Sequence, residues 1–231
     1  MKAVLPFLAL PLCLAPAAAR AETPTGVWFV GGSVSESSSA YAGGVVSLPG
    51  HSLGHGPAIR LGLSGGRYEY DAGASRITAE YGGAETALVY QFSGKWGWAN
   101  LSAGPKFSHT KLSPIDPGNK LRGSRWDLGL QSDGAFDGTH WRLGWFGSYG
   151  IANEAYQAKL QLSRKLSAER NFRLGMEAGI QGDPSYKKGI VGAFIGKAIG
   201  RNLDLQIGSG ISEQRGRGPR VYGSIGLSQI F

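Results

Sequence analysis

Four histidines, a scatter of serines and a set of interleaved charges are the residues of this 231-residue chain that could do chemistry. The sharpest motif is Gly50-His51-Ser52-Leu53-Gly54, which fits the G-x-S-x-G pattern of a nucleophile elbow. That elbow works where a strand turns abruptly into a helix and lifts the serine above a parallel sheet. Here Gly54, Gly56 and Pro57 stand where the helix would begin, so the segment reads as a turn. His109 and His140 lie near serines and are the other candidates for a serine–histidine pair, the chemistry of a lipid A or phospholipid hydrolase. Adjacent residues of a strand point to opposite faces, which sets Ser108 apart from His109, and His140 follows the tight Asp137-Gly138 turn. The spacing of His, Asp and Glu suggests neither a metal site nor a cofactor site. Carboxylates for glycoside cleavage must face each other across a sugar, and the sequence does not bring Asp71 to Glu80 or Asp127 to Asp133.

A second constellation is not catalytic. Arg60, Arg125, Asp127, Lys159, Arg173, Glu177 and Asp204 fall on the polar faces of alternating segments. They read either as an internal network of opposite charges that fills a narrow lumen or as a charged path or cleft. Tyr68, Tyr70 and Tyr186 could stack on sugar rings or sit in an aromatic girdle at a membrane surface. Asp116, in the turn Asp116-Pro117-Gly118-Asn119, suits an Asx-type cap. Tyr68, Tyr70, Asp116 and Asn119 are the candidate loop contacts.

The elements that would position these residues are strands. At the C-terminus Val221, Gly223, Ile225, Leu227 and Phe231 fall on one face, and Tyr222, Ser224, Gly226 and Ser228 on the other. A strand with one face in lipid and the other in a polar lumen needs this period of two. Twelve such stretches are expected, at about 26–35, 40–48, 56–70, 76–93, 96–110, 121–136, 139–151, 154–165, 170–182, 187–199, 202–213 and 219–231, with ten strands as the alternative. The alternation is interrupted at Glu80–Glu85, where a bulge or loop is expected. Tight-turn chemistry at Ser93–Lys95, Asp137-Gly138 and Gly200–Asn202 alternates with longer polar links at Ser113–Lys120, Gly182–Lys188 and Glu213–Pro219. That asymmetry fits an antiparallel transmembrane β-barrel with both termini in the periplasm. Trp96, Trp98, Trp141 and Trp145 would supply part of its girdle.

Composition agrees. Met1–Ala21 has the form of a signal peptide, with Lys2, an apolar run broken by Pro6, Pro11 and Pro16, and Ala19-Arg20-Ala21 before Glu22. Residues 22–231 then form a single outer-membrane barrel domain. The lone cysteine, Cys13, falls in the leader, so the mature chain would carry no disulfide. The 24 basic and 16 acidic residues give +8, and losing Lys2 and Arg20 with the leader leaves +6. For an exported chain this balance points to anionic lipopolysaccharide or an acidic polymer rather than to nucleic acid. Glycine, at 38 residues, is far above the usual fraction of about 7% and relieves crowding where strands curve into a barrel.

Leu48–Gly50, the run His55–Asp71 with its Tyr68/Tyr70 pair, Asp116–Asn119, Gly123 and Tyr41–Gly43 resemble, in order and spacing, the bacterial cellulose-biosynthesis family of the BcsS type. The resemblance covers about a third of the mature chain. It implies an outer-membrane barrel with a non-catalytic role around cellulose production or export, and contact with the secretion components. It brings no catalytic residues with it. A narrow solute pore on the same scaffold is a further alternative.

Overall fold

The computed structural model describes residues 23–167 and 172–231, so the leader expected at Met1–Ala21 lies outside the described residues. Twelve strands follow one another: β1 (Gly26–Val34), β2 (Ser38–Ser47), β3 (Gly56–Ala72), β4 (Ser75–Gly94), β5 (Gly97–Ser113), β6 (Gly123–Asp137), β7 (Trp141–Gly150), β8 (Tyr156–Ser167), β9 (Phe172–Gly182), β10 (Lys187–Ile199), β11 (Leu203–Gln214) and β12 (Arg220–Ile230). Each pairs antiparallel with its neighbours in sequence, and β1 closes on β12 to complete the barrel.

The two-faced pattern is the physical cause of this fold. Along β9, Leu174, Met176 and Ile180 are exposed, while Gly175 and Glu177 between them are buried. β10 repeats the pattern, with Val191 and Ile195 outside and Phe194 inside. The exposed large apolar side chains on these faces form a continuous outer belt that suits hydrocarbon. Hydrocarbon offers no partner to a backbone N–H or C=O, so strands can cross it only in a sheet without edges. The protein is therefore an outer-membrane barrel.

Thr25 and Phe231, the two ends of the described barrel, lie together at the end that the alternation of short and long links assigns to the periplasm. There the short turns bond to neighbouring strand ends: Asp137 N–H donates to the Trp96 carbonyl and Ile230 N–H to the Asn202 carbonyl. Trp96, Phe136 and Trp145 make a chain of tilted ring contacts at this end, with centroids 5.5 and 5.1 Å apart. Trp141 joins them on the outer face, with the Arg164 guanidinium 5.8 Å over its ring. Trp98 does not belong to the girdle. It is paired with Ala135 and lies two residues before the buried Asn100, on the lumen side.

Glu80–Glu85 is neither a bulge nor a loop. The segment runs inside β4 and keeps one register against β3, from Gly56↔Gln91 to Ala72↔Ser75. Its glycines weaken the alternation signal without breaking the ladder.

The belt carries a direct test. Ile225 on β12 is 56% exposed to lipid, whereas Gln157 on β8 is exposed to the lumen. Ile225→Arg is expected to cost about 2–4 kcal/mol and Gln157→Arg close to nothing. Urea unfolding in phospholipid vesicles, followed by tryptophan fluorescence, measures both.

Candidate functional site in the lumen and extracellular mouth

The lumen holds two charge clusters on facing walls. On one wall Arg60 of β3 pairs with Asp133 of β6. Asp133 also accepts from Asn100 Nδ2 at 3.0 Å and from Gln131 Nε2 at 3.2 Å. On the other wall Glu177 of β9 is fully buried and is the centre of a four-group cluster. Lys159 Nζ lies 2.6 Å from its carboxylate, Gln161 Nε2 donates at 2.9 Å and Tyr222 Oη at 2.8 Å. Nearer the periplasmic end Arg173 meets Asp204 at 2.6 Å.

These pairs come from alternation and register. Lys159, Gln161 and Glu177 are inward positions of adjacent strands, and Gln161 is the cross-strand partner of Glu177. Five of the seven expected lumen charges thus enter ion pairs: Arg60, Lys159, Arg173, Glu177 and Asp204. Two do not. Asp127 is buried and caps the β7–β8 loop, accepting from Ala152 N–H at 2.7 Å and Asn153 N–H at 3.2 Å. Arg125 is exposed at the top of β6 and takes no part in the described ion pairs. The Asp133 and Tyr222 partners were not among the expected residues. Both sit on alternating inward positions, and that periodicity was the available signal.

The extracellular mouth is closed by the chain itself. β3, β4 and β5 have 17, 20 and 17 residues, against 9 and 10 for β1 and β2. Pairing of β2 with β3 ends at Ser38↔Arg67, so Tyr68–Ala72 and the β4 residues opposite them rise above β2. This tall edge folds inward. Tyr68, Tyr70, Ile77, Ala79 and Leu112 are buried together with Tyr186 of the β9–β10 loop, from the opposite side of the barrel. The Tyr68 and Tyr186 rings lie 4.5 Å apart, and Tyr68 Oη donates to Asp183 Oδ2 at 3.2 Å.

Two further ties hold the closure. Arg217 of the β11–β12 loop reaches Glu69 at 3.2 Å, and Gln214 Nε2 donates to the Glu69 carbonyl. The β1–β2 turn folds under it, with Lys188 Nζ donating to Ser37 Oγ at 2.9 Å. Burial holds the Asp183 carboxyl above the ordinary carboxylate range, against hydrogen bonds from Ser185, Tyr68 and Tyr186. Burial likewise raises the Tyr186 phenol.

The four candidate loop contacts converge here, though not as a free sugar platform. Tyr70 Oη donates to Asp116 Oδ2 at 2.7 Å and accepts from Asn119 Nδ2 at 2.7 Å. Asp116 also caps its own turn through Gly118 N–H at 3.0 Å. Tyr68 and Tyr70 are 7% and 5% exposed, so both ring faces are occupied by protein and neither ring belongs to the outer girdle. These residues dock the loop after β5 onto the closed mouth.

The nucleophile elbow is a turn. Ser52 lies in the periplasmic loop between β2 and β3, where its carbonyl accepts from His55 N–H at 3.0 Å. His55 Nε2 sits 2.9 Å from Ser93 Oγ at the exposed rim. His140 is at the periplasmic turn, and Ser108 points inward while His109 points outward. His109 Nδ1 instead meets Ser124 Oγ at 2.9 Å on the outer face. Among the described residues no group of three or more His, Cys, Asp or Glu could hold a metal ion.

The family model for "Cellulose biosynthesis protein BcsS" matches residues 27–231. No curated protein matches the chain. Among solved structures, it is similar to the KdgM porin in complex with disordered oligogalacturonate, with a TM-score of 0.50 and 9% identity over 89% of this chain and 99% of that one. An outer membrane channel from Pseudomonas putida F1 gives 0.49 and 13% over 92% and 97%. The translocator domain of the autotransporter NalP from Neisseria meningitidis gives 0.48 and 12% over 91% and 89%. At these identities the likeness is one of fold.

Two measurements address the lumen and the mouth. Glu177→Ala strands Lys159 without its partner and is expected to cost up to about 3 kcal/mol, because Lys159 keeps some solvent contact. Lys159→Met with Glu177→Leu should recover most of that loss in the same urea assay. Tyr68→Ala with Arg217→Ala removes a ring and a charge from the closure, and planar-bilayer recordings should then show openings that the parent protein lacks.

Proposed function

Because the chain belongs to the cellulose biosynthesis protein BcsS family, we propose that it is a non-catalytic accessory of cellulose production or export, fixed in the outer membrane. The observation that carries the non-conduit reading is the closed mouth. Tyr68, Tyr70 and Tyr186 are buried against each other where a passing polymer would have to leave. A glucan chain is a rigid ribbon of pyranose rings, and the lumen beneath is crossed by Arg60–Asp133 and by the Lys159–Glu177–Tyr222 cluster. Barrels of about eight strands are filled by side chains and those of sixteen to eighteen are open channels. A twelve-stranded barrel with these long polar side chains falls toward the filled end.

The working surface in this reading is the extracellular rim. The loops Ser113–Lys120 and Glu213–Pro219 would meet exported polymer or lipopolysaccharide, and the secretion components would approach the barrel from the periplasm. Arg215, Lys120 and Arg122 are exposed on these loops or beside them and supply positive charge there.

Deletion of the gene should alter the amount of exported cellulose or its attachment to the cell. Synthesis by isolated inner-membrane fractions should stay intact. Dye binding and cellulase-released glucose measure the first, and radiolabelled glucose incorporation the second. Unchanged exported cellulose would reject the proposal, and loss of in-vitro synthesis would place the protein at the synthase instead.

A further inference from the structure

The outer wall of β5 and β6 carries two features that the closed lumen does not use. The first is polar. His109 and Lys111 of β5 are outward positions, in line with Leu101 and Phe107. Ser124 of β6 is the cross-strand partner of His109, and its Oγ meets His109 Nδ1 at 2.9 Å, while Nε2 makes no hydrogen bond among the described residues. Glu80 of β4 is the cross-strand partner of both Lys111 and Arg67, so with Glu69 the patch sets two carboxylates beside two cations and a histidine. Arg67 also approaches Glu69 at 3.5 Å.

The second feature is apolar. Directly below His109 and Ser124 the rings of Phe107 and Trp126 lie 5.3 Å apart, and Trp126 is 71% exposed. An aromatic pair of this kind marks the level of the lipid headgroups. Below it opens a groove of about 860 Å³. Leu88, Leu130, Tyr149 and Tyr156 form its upper ridge, and Tyr90 and Leu101 form part of the lower one. Gly147 and Ala158 continue the lower row with almost no side chain, so the groove is widest there.

Phosphate chemistry above and hydrocarbon chemistry below stand on the same two strands at a lipid's own spacing. Four residues separate Phe107 from Ala103 in the groove, about 13 Å along a strand rising ~3.3 Å per residue. Half of a ~30 Å hydrocarbon core is about 15 Å, so the groove lies within reach of an acyl chain whose headgroup sits at His109. This end of the barrel is opposite Thr25 and Phe231, so with those ends on the periplasmic side, as the link lengths assign them, it faces the outer leaflet. We propose that His109, Lys111 and Ser124 bind the phosphate of a phosphorylated glycolipid of the outer leaflet, with one of its acyl chains in the groove between the Leu130–Tyr149 and Leu101–Ser132 rows.

The test uses the purified full-length protein and native mass spectrometry with three lipid probes: bis-phosphorylated lipid A, its dephosphorylated form, and phosphatidylglycerol. The parent protein should retain the phosphorylated glycolipid above both other probes. Lys111→Ala should lower that retention about fivefold, the worth of one basic group near an anionic lipid, and adding His109→Ala should lower it further. Gly147→Leu should fill the groove and weaken both glycolipids alike. A Cβ there meets only the Ser132 carbonyl oxygen, at 3.9 Å, so the barrel should tolerate the change. Ala158→Leu serves the same purpose if that variant loses its heat-dependent gel mobility. Equal retention of phosphatidylglycerol, indifference to the phosphate, or unchanged retention in the Lys111 and His109 variants would each overturn the proposal. None of these outcomes depends on whether the protein acts in cellulose export.

Discussion

Everything in this molecule depends on the seam between its first and last strands. A strand in hydrocarbon with an unpaired edge would expose a row of N–H and C=O groups, each costing several kcal/mol. The β1–β12 ladder removes that edge, from Val27↔Ile230 to Val34↔Gly223. The C-terminal residue completes it: Phe231 N–H donates to the Gly26 carbonyl at 2.9 Å, and the Phe231 carbonyl accepts from Thr25 and Gly26. The Phe231 ring lies where a Cβ on Gly26 would stand, so a larger residue there would have to displace that ring. Closure also sets the interior. Once the sheet has no edge, alternate residues of every strand must share one narrow space.

That shared space explains the charge pattern. At the depth of the hydrocarbon, inward positions carry Arg, Lys, Asp and Glu because lipid-facing positions cannot, and inside a narrow barrel opposite charges from strands distant in sequence are forced together. Arg60 and Asp133 are 73 residues apart, and Tyr222 and Glu177 are 45 apart. Pairs of this kind resist loss of one partner more than they stabilise relative to an apolar filling. Their effect is to fix which walls face each other, and so to hold the lumen at one width.

The alternation made most of the fold legible. The stretches expected at 154–165 and 170–182 became β8 and β9, with Lys159, Arg173 and Glu177 on the polar, inward face expected of them. Glu80–Glu85 misled because Gly82 and Gly83 carry no side chain to report a face, although their backbone pairs as any other would. Trp98 misled for another reason: an aromatic near a strand end suits the girdle by type, and only parity with Asn100 places it inside. The roles of Tyr68 and Tyr70 were illegible because nothing local says that β3 and β4 outgrow β2 and bend over it. Their burial depends on Tyr186 and Asn119, contributed by other loops. Pairings across a barrel are set by the number of strands and their stagger, and no single segment records either.

The inward fold of the tall strands divides the molecule into working and non-working surfaces. Above the bilayer the aromatic and carboxylate groups that could meet a polymer are consumed in closing the mouth: Tyr68 on Asp183, Tyr70 on Asp116, and Glu69 on Arg217. What remains exposed there includes the basic Lys120, Arg122 and Arg215 beside Asp71, Glu154, Glu213 and the apolar Ile115. The outer wall keeps polar groups at its surface, with His109 paired to Ser124. His109 and Lys111 face outward above a ring pair and a groove, at the depth where lipid phosphate and lipid chain meet. With the tall strands folded over its mouth, such a barrel meets its surroundings at its rim and its outer wall, and these are the surfaces on which the proposed contacts with polymer and lipid lie.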